Sequence, residues 1–198
     1  CLDRRLGEDG QEVSLRRNQP GSMISASNIY LVGPMGVGKT TVGRSLAKSL
    51  SMEFVDSDQQ IEERTGVSIS TIFDIEGEAG FREREAKEIF ELVKRTNIVL
   101  ATGGGAVTRE DVRKAMRHNG LVIYLHATLE MLVERTRSSK NRPLLNTGAD
   151  PREVLETLML ERDPLYRAEA YIVFETDSRS PHAVARDICT EIRKRWQR

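Results

Sequence analysis

From Asn28 onward the chain alternates short apolar runs with stretches whose apolar residues recur every three or four positions. The runs 29–32, 53–55, 98–101, 121–125 and 171–174 are rich in the β-branched and aromatic residues that suit a pleated, buried surface. Between them, 41–50, 59–65, 78–95, 109–117, 129–137, 152–169 and 181–196 carry helical periodicity. Strands alternating with helices predict an α/β fold: a parallel sheet of five strands with right-handed crossover helices on both faces. Two regions interrupt the alternation. No strand is predicted between 59 and 95, so a helical insertion of about residues 57–95 is expected to build an acceptor-binding subdomain. Residues 138–150, SSKNRPLLNTGAD, are polar and punctuated by Gly and Pro, which predicts a lid.

At 198 residues the chain fits one domain, and 38% hydrophobic residues suffice for a core. Lys plus Arg and Asp plus Glu both number 30, so no bulk field draws the chain to nucleic acid or an anionic membrane; an anionic ligand has to be caught locally. Two cysteines make no disulfide framework, and no apolar run approaches a membrane span, so a cytoplasmic location is expected; the chain is also expected to be a monomer. Residues 1–22 mix charges with few apolar side chains and are expected to be a disordered extension, leaving 23–198 as the domain.

The sharpest chemical signal is Gly33-Pro34-Met35-Gly36-Val37-Gly38-Lys39-Thr40, which fits G-x-x-x-x-G-K-[ST] between a predicted strand and a predicted helix. In such a loop the backbone N–H groups of Gly36, Val37, Gly38, Lys39, Thr40 and Thr41 point at phosphate oxygens, aided by the helix N-terminus. Lys39 adds a point charge for the β and γ phosphates, and the Thr40 hydroxyl suits Mg²⁺. The 98–101 strand ends in Thr102-Gly103-Gly104-Gly105 and offers no carboxylate. Asp56-Ser57-Asp58, after the second strand, offers two: one for metal-bound water, the other for the acceptor. Helix capping also accounts for an Asp there.

For the acceptor, the three glycines remove side chains where sheet crevices bind ligands. Arg82 can grip a carboxylate with two parallel bonds, oriented by Glu85 one turn on. Arg167, in Asp163-Pro164-Leu165-Tyr166-Arg167, is a second candidate, and Arg142 in the predicted lid a third. The three histidines show no ligand spacing. Cys189 shares a helical face with Ile188 and Ile192, extended by Trp196, and reads as core.

Taken together, GPMGVGKTT, DSD, IFDIEGEAGFREREAKE, TGGGA, NRPLL and PLYR, in this order across 28–196, resemble the shikimate kinase family. The resemblance implies a nucleoside-monophosphate-kinase-like P-loop fold with sheet order 2-3-1-4-5. It also implies ATP-dependent phosphorylation of the shikimate 3-hydroxyl, giving shikimate 3-phosphate and ADP, on the route to chorismate and aromatic amino acids. Asp58, Arg82, Gly104 and Arg167 would hold shikimate; Arg142 would be the lid arginine on ATP; Thr40 would bind Mg²⁺ with Asp56 nearby; Arg135 and Arg179 would border adenine. Lys39, Asp58 and Arg142 are the catalytic candidates, with Asp58 either base or positioner. A gluconate-type sugar-acid kinase and an inactive nucleotide-binding regulator remain alternatives on the loop alone.

Overall fold

The computed structural model describes residues 2–6, 12–16, 28–137, 144, 149–176 and 178–196. In chain order the strands are β1 (Leu2–Leu6), β2 (Glu12–Arg16), β3 (Ile29–Val32), β4 (Glu53–Asp56), β5 (Ile98–Ala101), β6 (Leu121–His126) and β7 (Ile172–Glu175). The helices are α1 (Lys39–Leu50), α2 (Ser57–Thr65), α3 (Ile69–Leu92), α4 (Glu110–Asn119), α5 (Leu129–Thr136), α6 (Pro151–Glu169) and α7 (Pro181–Trp196). Strands β3 to β7 pair in parallel in the order β4-β5-β3-β6-β7, the expected 2-3-1-4-5 arrangement.

The sheet is covered on both faces, and strand alternation divides the core accordingly. Ile29 and Leu31 of β3 join Leu121, Ile123 and Leu125 of β6 under α1, α5 and α7. Tyr30 and Val32 join Val122 and Tyr124 under α3, α4 and α6. All four β3 side chains are 0% exposed, and each such burial contributes roughly 1.5–3 kcal/mol. The Gly33 loop therefore begins at the carboxyl end of a fully buried central strand. Ile188, Cys189 and Ile192 of α7 lie in the first of these cores, as their shared face predicts; the Trp196 side chain lies outside the described residues.

Two elements differ from expectation. The helix expected from residue 78 starts at Ile69, where Ser68 caps it by accepting a hydrogen bond from Thr71 N–H, and it kinks at Gly77, whose φ is 70°. Ile72 before the kink and Phe81 after it pack against Ile61 of α2, forming a small separate cluster within the predicted insertion. Within residues 1–22, expected to be disordered, the described stretches 2–6 and 12–16 are strands instead. β1 and β2 form an antiparallel hairpin that pairs with the outer edge of β7, Leu15 opposite Ile172. Glu12-Val13-Ser14-Leu15-Arg16 alternates polar and apolar residues at period two, and backbone pairing to a free edge needs little apolar content. Among the described residues no helix is long and apolar enough to cross a membrane.

Candidate active site

The carboxyl ends of β3, β4 and β5 open into one cavity of about 810 Å³. On the β3 side, Gly38 caps α1 with φ of 99°, a left-handed conformation that glycine adopts without strain. The loop thus turns directly into the helix N-terminus, where unpaired N–H groups and the helix dipole favour an anion. Lys39 Nζ donates to the Gly33 and Pro34 carbonyls at 2.7 and 2.9 Å, which holds the ammonium over the loop. Gly36, Gly38, Lys39, Thr40 and Thr41 line the cavity; the Val37 side chain is buried in the core, so Val37 contributes backbone only.

At the end of β4, Asp56 serves two purposes. Its Oδ1 caps α2 by accepting from Asp58 and Gln59 N–H at 3.1 and 3.4 Å, while its Oδ2 accepts from the Thr40 hydroxyl at 2.8 Å. Capping and site chemistry are therefore not alternatives here. Asp58 faces the same cavity from the first turn of α2. Burial, then the negative charges of Glu85 and Asp56, push its carboxyl up to about 7, against the opposing pull of Lys39 and Arg82.

The side of the cavity expected to take the acceptor is built from α3, α6 and the glycine turn after β5. Arg82 donates to Glu85 at 2.7 Å and to Glu78 at 2.8 Å, and its side chain is 13% exposed. Its guanidinium lies flat against the turn: a Cβ on Gly105 would come within 2.2 Å of Arg82 Cζ, so only glycine permits this approach. Burial raises the Glu85 carboxyl, with Arg82 and Arg162 opposing.

Arg162 lines the cavity, is 6% exposed, and reaches Glu78 at 3.9 Å. Its Nε is buried with no hydrogen-bond partner among the described residues. Arg167, the expected second acceptor arginine, does not line the cavity. It donates to Asp163 at 2.7 Å and stacks over the Tyr124 ring. Gly104 lines the cavity through its backbone. Arg135 donates to Thr176 and Arg179 pairs with Asp187, and both arginines line the cavity. Arg142 and most of the predicted lid lie outside the described residues; Leu144 lines the cavity. His118, His126 and His182 contact Lys114, Glu175 and Ser45 and none lines it.

Sequence reasoning missed Arg162, whose signal was its position one helical turn before Tyr166. It also missed the Phe73 and Phe81 rings, 4.8 Å apart, which line the cavity with Arg82.

A phosphate loop on the central strand of a parallel sheet, facing carboxylates and paired arginines across one cleft, defines a P-loop kinase. The family model for shikimate kinase matches residues 35–193. A shikimate kinase 1 from Citrobacter koseri is 52% identical over 166 residues, covering 84% of this chain and 96% of that protein. A shikimate kinase from Nitrosospira multiformis is 51% identical over 176 residues, 89% of this chain and 90% of the relative. The structure of shikimate kinase from Acinetobacter baumannii in complex with shikimate superposes with a TM-score of 0.83 at 47% identity, covering 86% of this chain and 94% of the other. The chain belongs to the shikimate kinase family.

Proposed function

We propose that this enzyme transfers the γ-phosphoryl group of ATP to the 3-hydroxyl of shikimate. The observation that carries this reading is the convergence of two guanidiniums, Arg82 and Arg162, on one cavity that also holds Asp58 and the phosphate loop. A substrate with one carboxylate and several hydroxyls matches that set: the arginines neutralise the carboxylate, and Asp58 with the Gly103–Gly105 backbone orients the hydroxyls. We assign the acceptor carboxylate to Arg162 in place of Arg167, because Arg162 is the buried, incompletely paired cation on the cavity wall.

The loop N–H groups and Lys39 hold the β and γ phosphates, and Arg135 and Arg179 border the adenine end. Arg142, by its place in the NRPLL motif, is assigned to the transferring phosphoryl group. The acceptor oxygen forms a bond to the γ phosphorus as the bond to the β–γ bridging oxygen breaks, and ADP leaves. The hydroxyl proton goes to Asp58, whose affinity near 7 lets it accept a proton at neutral pH.

The donor set of Thr40 hydroxyl and Asp56 carboxylate, 2.8 Å apart, fits Mg²⁺, a hard cation that takes few protein ligands beside substrate phosphates and waters. When bound, the ion neutralises charge developing on the phosphate oxygens. A coupled ADP-release assay with shikimate, quinate and gluconate tests the reading. Turnover that depends on shikimate is expected, and equal turnover without acceptor would overturn it.

A further inference from the structure

We infer that Tyr166 is a positioning residue for the acceptor, setting the glycine turn through its hydroxyl. Tyr166 is 1% exposed, and its O–H donates to the Gly104 carbonyl, 62 residues away in sequence. On either side of that carbonyl the turn is held locally. Gly103 O accepts from Ala106 N–H at 3.2 Å, and Gly105 O accepts from the Thr108 N–H at 2.9 Å and its hydroxyl at 2.8 Å. Three successive glycines have more backbone freedom than any other tripeptide, so a turn made of them keeps one shape only where outside contacts impose it.

The carbonyl of Gly104 and the N–H of Gly105 belong to one trans peptide plane and point opposite ways. Drawing the carbonyl towards Tyr166 therefore fixes the direction of the Gly105 N–H and the surface against which the Arg82 guanidinium lies. The same hydroxyl lies beside Arg162, four residues earlier on α6 and so on the same helix face. One O–H group thus touches the acceptor turn and the acceptor arginine together.

The ring is itself held. It stacks on Tyr124 with centroids 4.9 Å apart and planes at 27°. Tyr124 in turn donates to Asp163 at 2.7 Å, and Asp163 takes Arg167. The conspicuous arginine of the PLYR motif accordingly braces the stack, while its tyrosine reaches the site.

This inference rests on the shikimate reading above, and its test separates the two. Tyr166→Phe keeps the ring and its stack and deletes only the hydroxyl. The shikimate KM is expected to rise about 3- to 10-fold, the range for one lost hydrogen bond, with the ATP KM unchanged and kcat within about twofold. Tyr124→Phe removes a buried hydroxyl from the same stack without touching Gly104, and is expected to leave the shikimate KM unchanged. In ¹⁵N-labelled protein without substrates, the Gly104 and Gly105 amide signals are expected to shift in Tyr166→Phe alone. An unchanged KM in Tyr166→Phe, or equal KM changes in both variants, would overturn the positioning role and leave the function standing. Absence of shikimate turnover in the wild-type enzyme would overturn the function and this role with it.

Discussion

Arg162 and Arg167 are five residues apart on α6 and therefore about 140° apart around the helix, so they serve different surroundings. Arg162 is buried on the cavity wall, whereas Arg167 is partly exposed and pinned to Asp163. Arg162→Ala is expected to raise the shikimate KM steeply, by the equivalent of about 2–5 kcal/mol, because it leaves the substrate carboxylate in the cavity without one of the two cations assigned to it. Arg167→Ala loses a pair of the partly exposed kind, about 0–1 kcal/mol, and is expected to lower Tm slightly with little change in KM. Steady-state kinetics on both variants check the assignment; a large KM effect confined to Arg167→Ala would reverse it.

Asp58 supplies a pH dependence whose sign follows from its surroundings. Burial and the Glu85 and Asp56 charges raise its folded affinity to about 7, above an unfolded value near 3.9. A raised carboxyl stabilises the fold fully below about pH 4, and that contribution is lost as pH rises through about 7. Substrate-free wild type is therefore expected to lose stability between about pH 4 and 7 relative to Asp58→Asn, read as the difference in Tm. Activity runs the other way, since the ionised carboxylate accepts the proton: kcat/KM is expected to climb through the same range. A Tm difference that is flat across these pH values would refute the raised affinity.

How much of this was legible in the sequence depended on how local the physics was. The phosphate loop is contiguous, and its glycines, lysine and threonine act through backbone geometry and a helix end that follow directly, so Lys39, Thr40 and Asp56 fall where expected. The five parallel strands were legible because each is an apolar run between breakers. Arg162 was not, because two arginines flank Pro164-Leu165-Tyr166 and only the helix phase, fixed by packing Tyr166 onto Tyr124, decides which one reaches the cavity. The Gly77 kink hid the start of α3, since glycine inside a helical pattern reads as a break. The Tyr166 bond to Gly104 joins segments that meet only in the folded sheet.

On the phosphate side, Lys39→Ala is expected to abolish transfer with Tm nearly unchanged, because the ammonium sits on loop carbonyls and not in the core. Thr40→Ala and Asp56→Asn each remove one oxygen donor of the 2.8 Å pair and are expected to raise the Mg²⁺ concentration for half-maximal activity. Asparagine caps a helix about as well as aspartate, so the cap of α2 survives in Asp56→Asn and Tm is expected to change little in either variant. Mg²⁺ titrations with thermal melts check both outcomes, and an unaltered Mg²⁺ requirement in both variants would remove the pair from the metal site.

The contact between Gly105 and Arg82 allows a test of the acceptor wall that leaves every charge in place. Gly105 has φ of −94° and ψ of −3°, which alanine tolerates, so Gly105→Ala strains no backbone. Its new methyl would nevertheless meet the Arg82 guanidinium at 2.2 Å, and that guanidinium is tied to Glu78 and Glu85. The side chain has to swing off its carboxylate partners, and the end that moves is the end assigned to substrate. The expected outcome is a large rise in the shikimate KM with the ATP KM unchanged. Because the damage passes through Arg82, it should vanish where Arg82 is already gone: Gly105→Ala in an Arg82→Ala background should add little, a strong non-additivity of the kind shown by residues in contact. Additive effects in this double-mutant cycle would mean that the methyl blocks the substrate itself, moving the acceptor's seat from the arginine onto the glycine backbone.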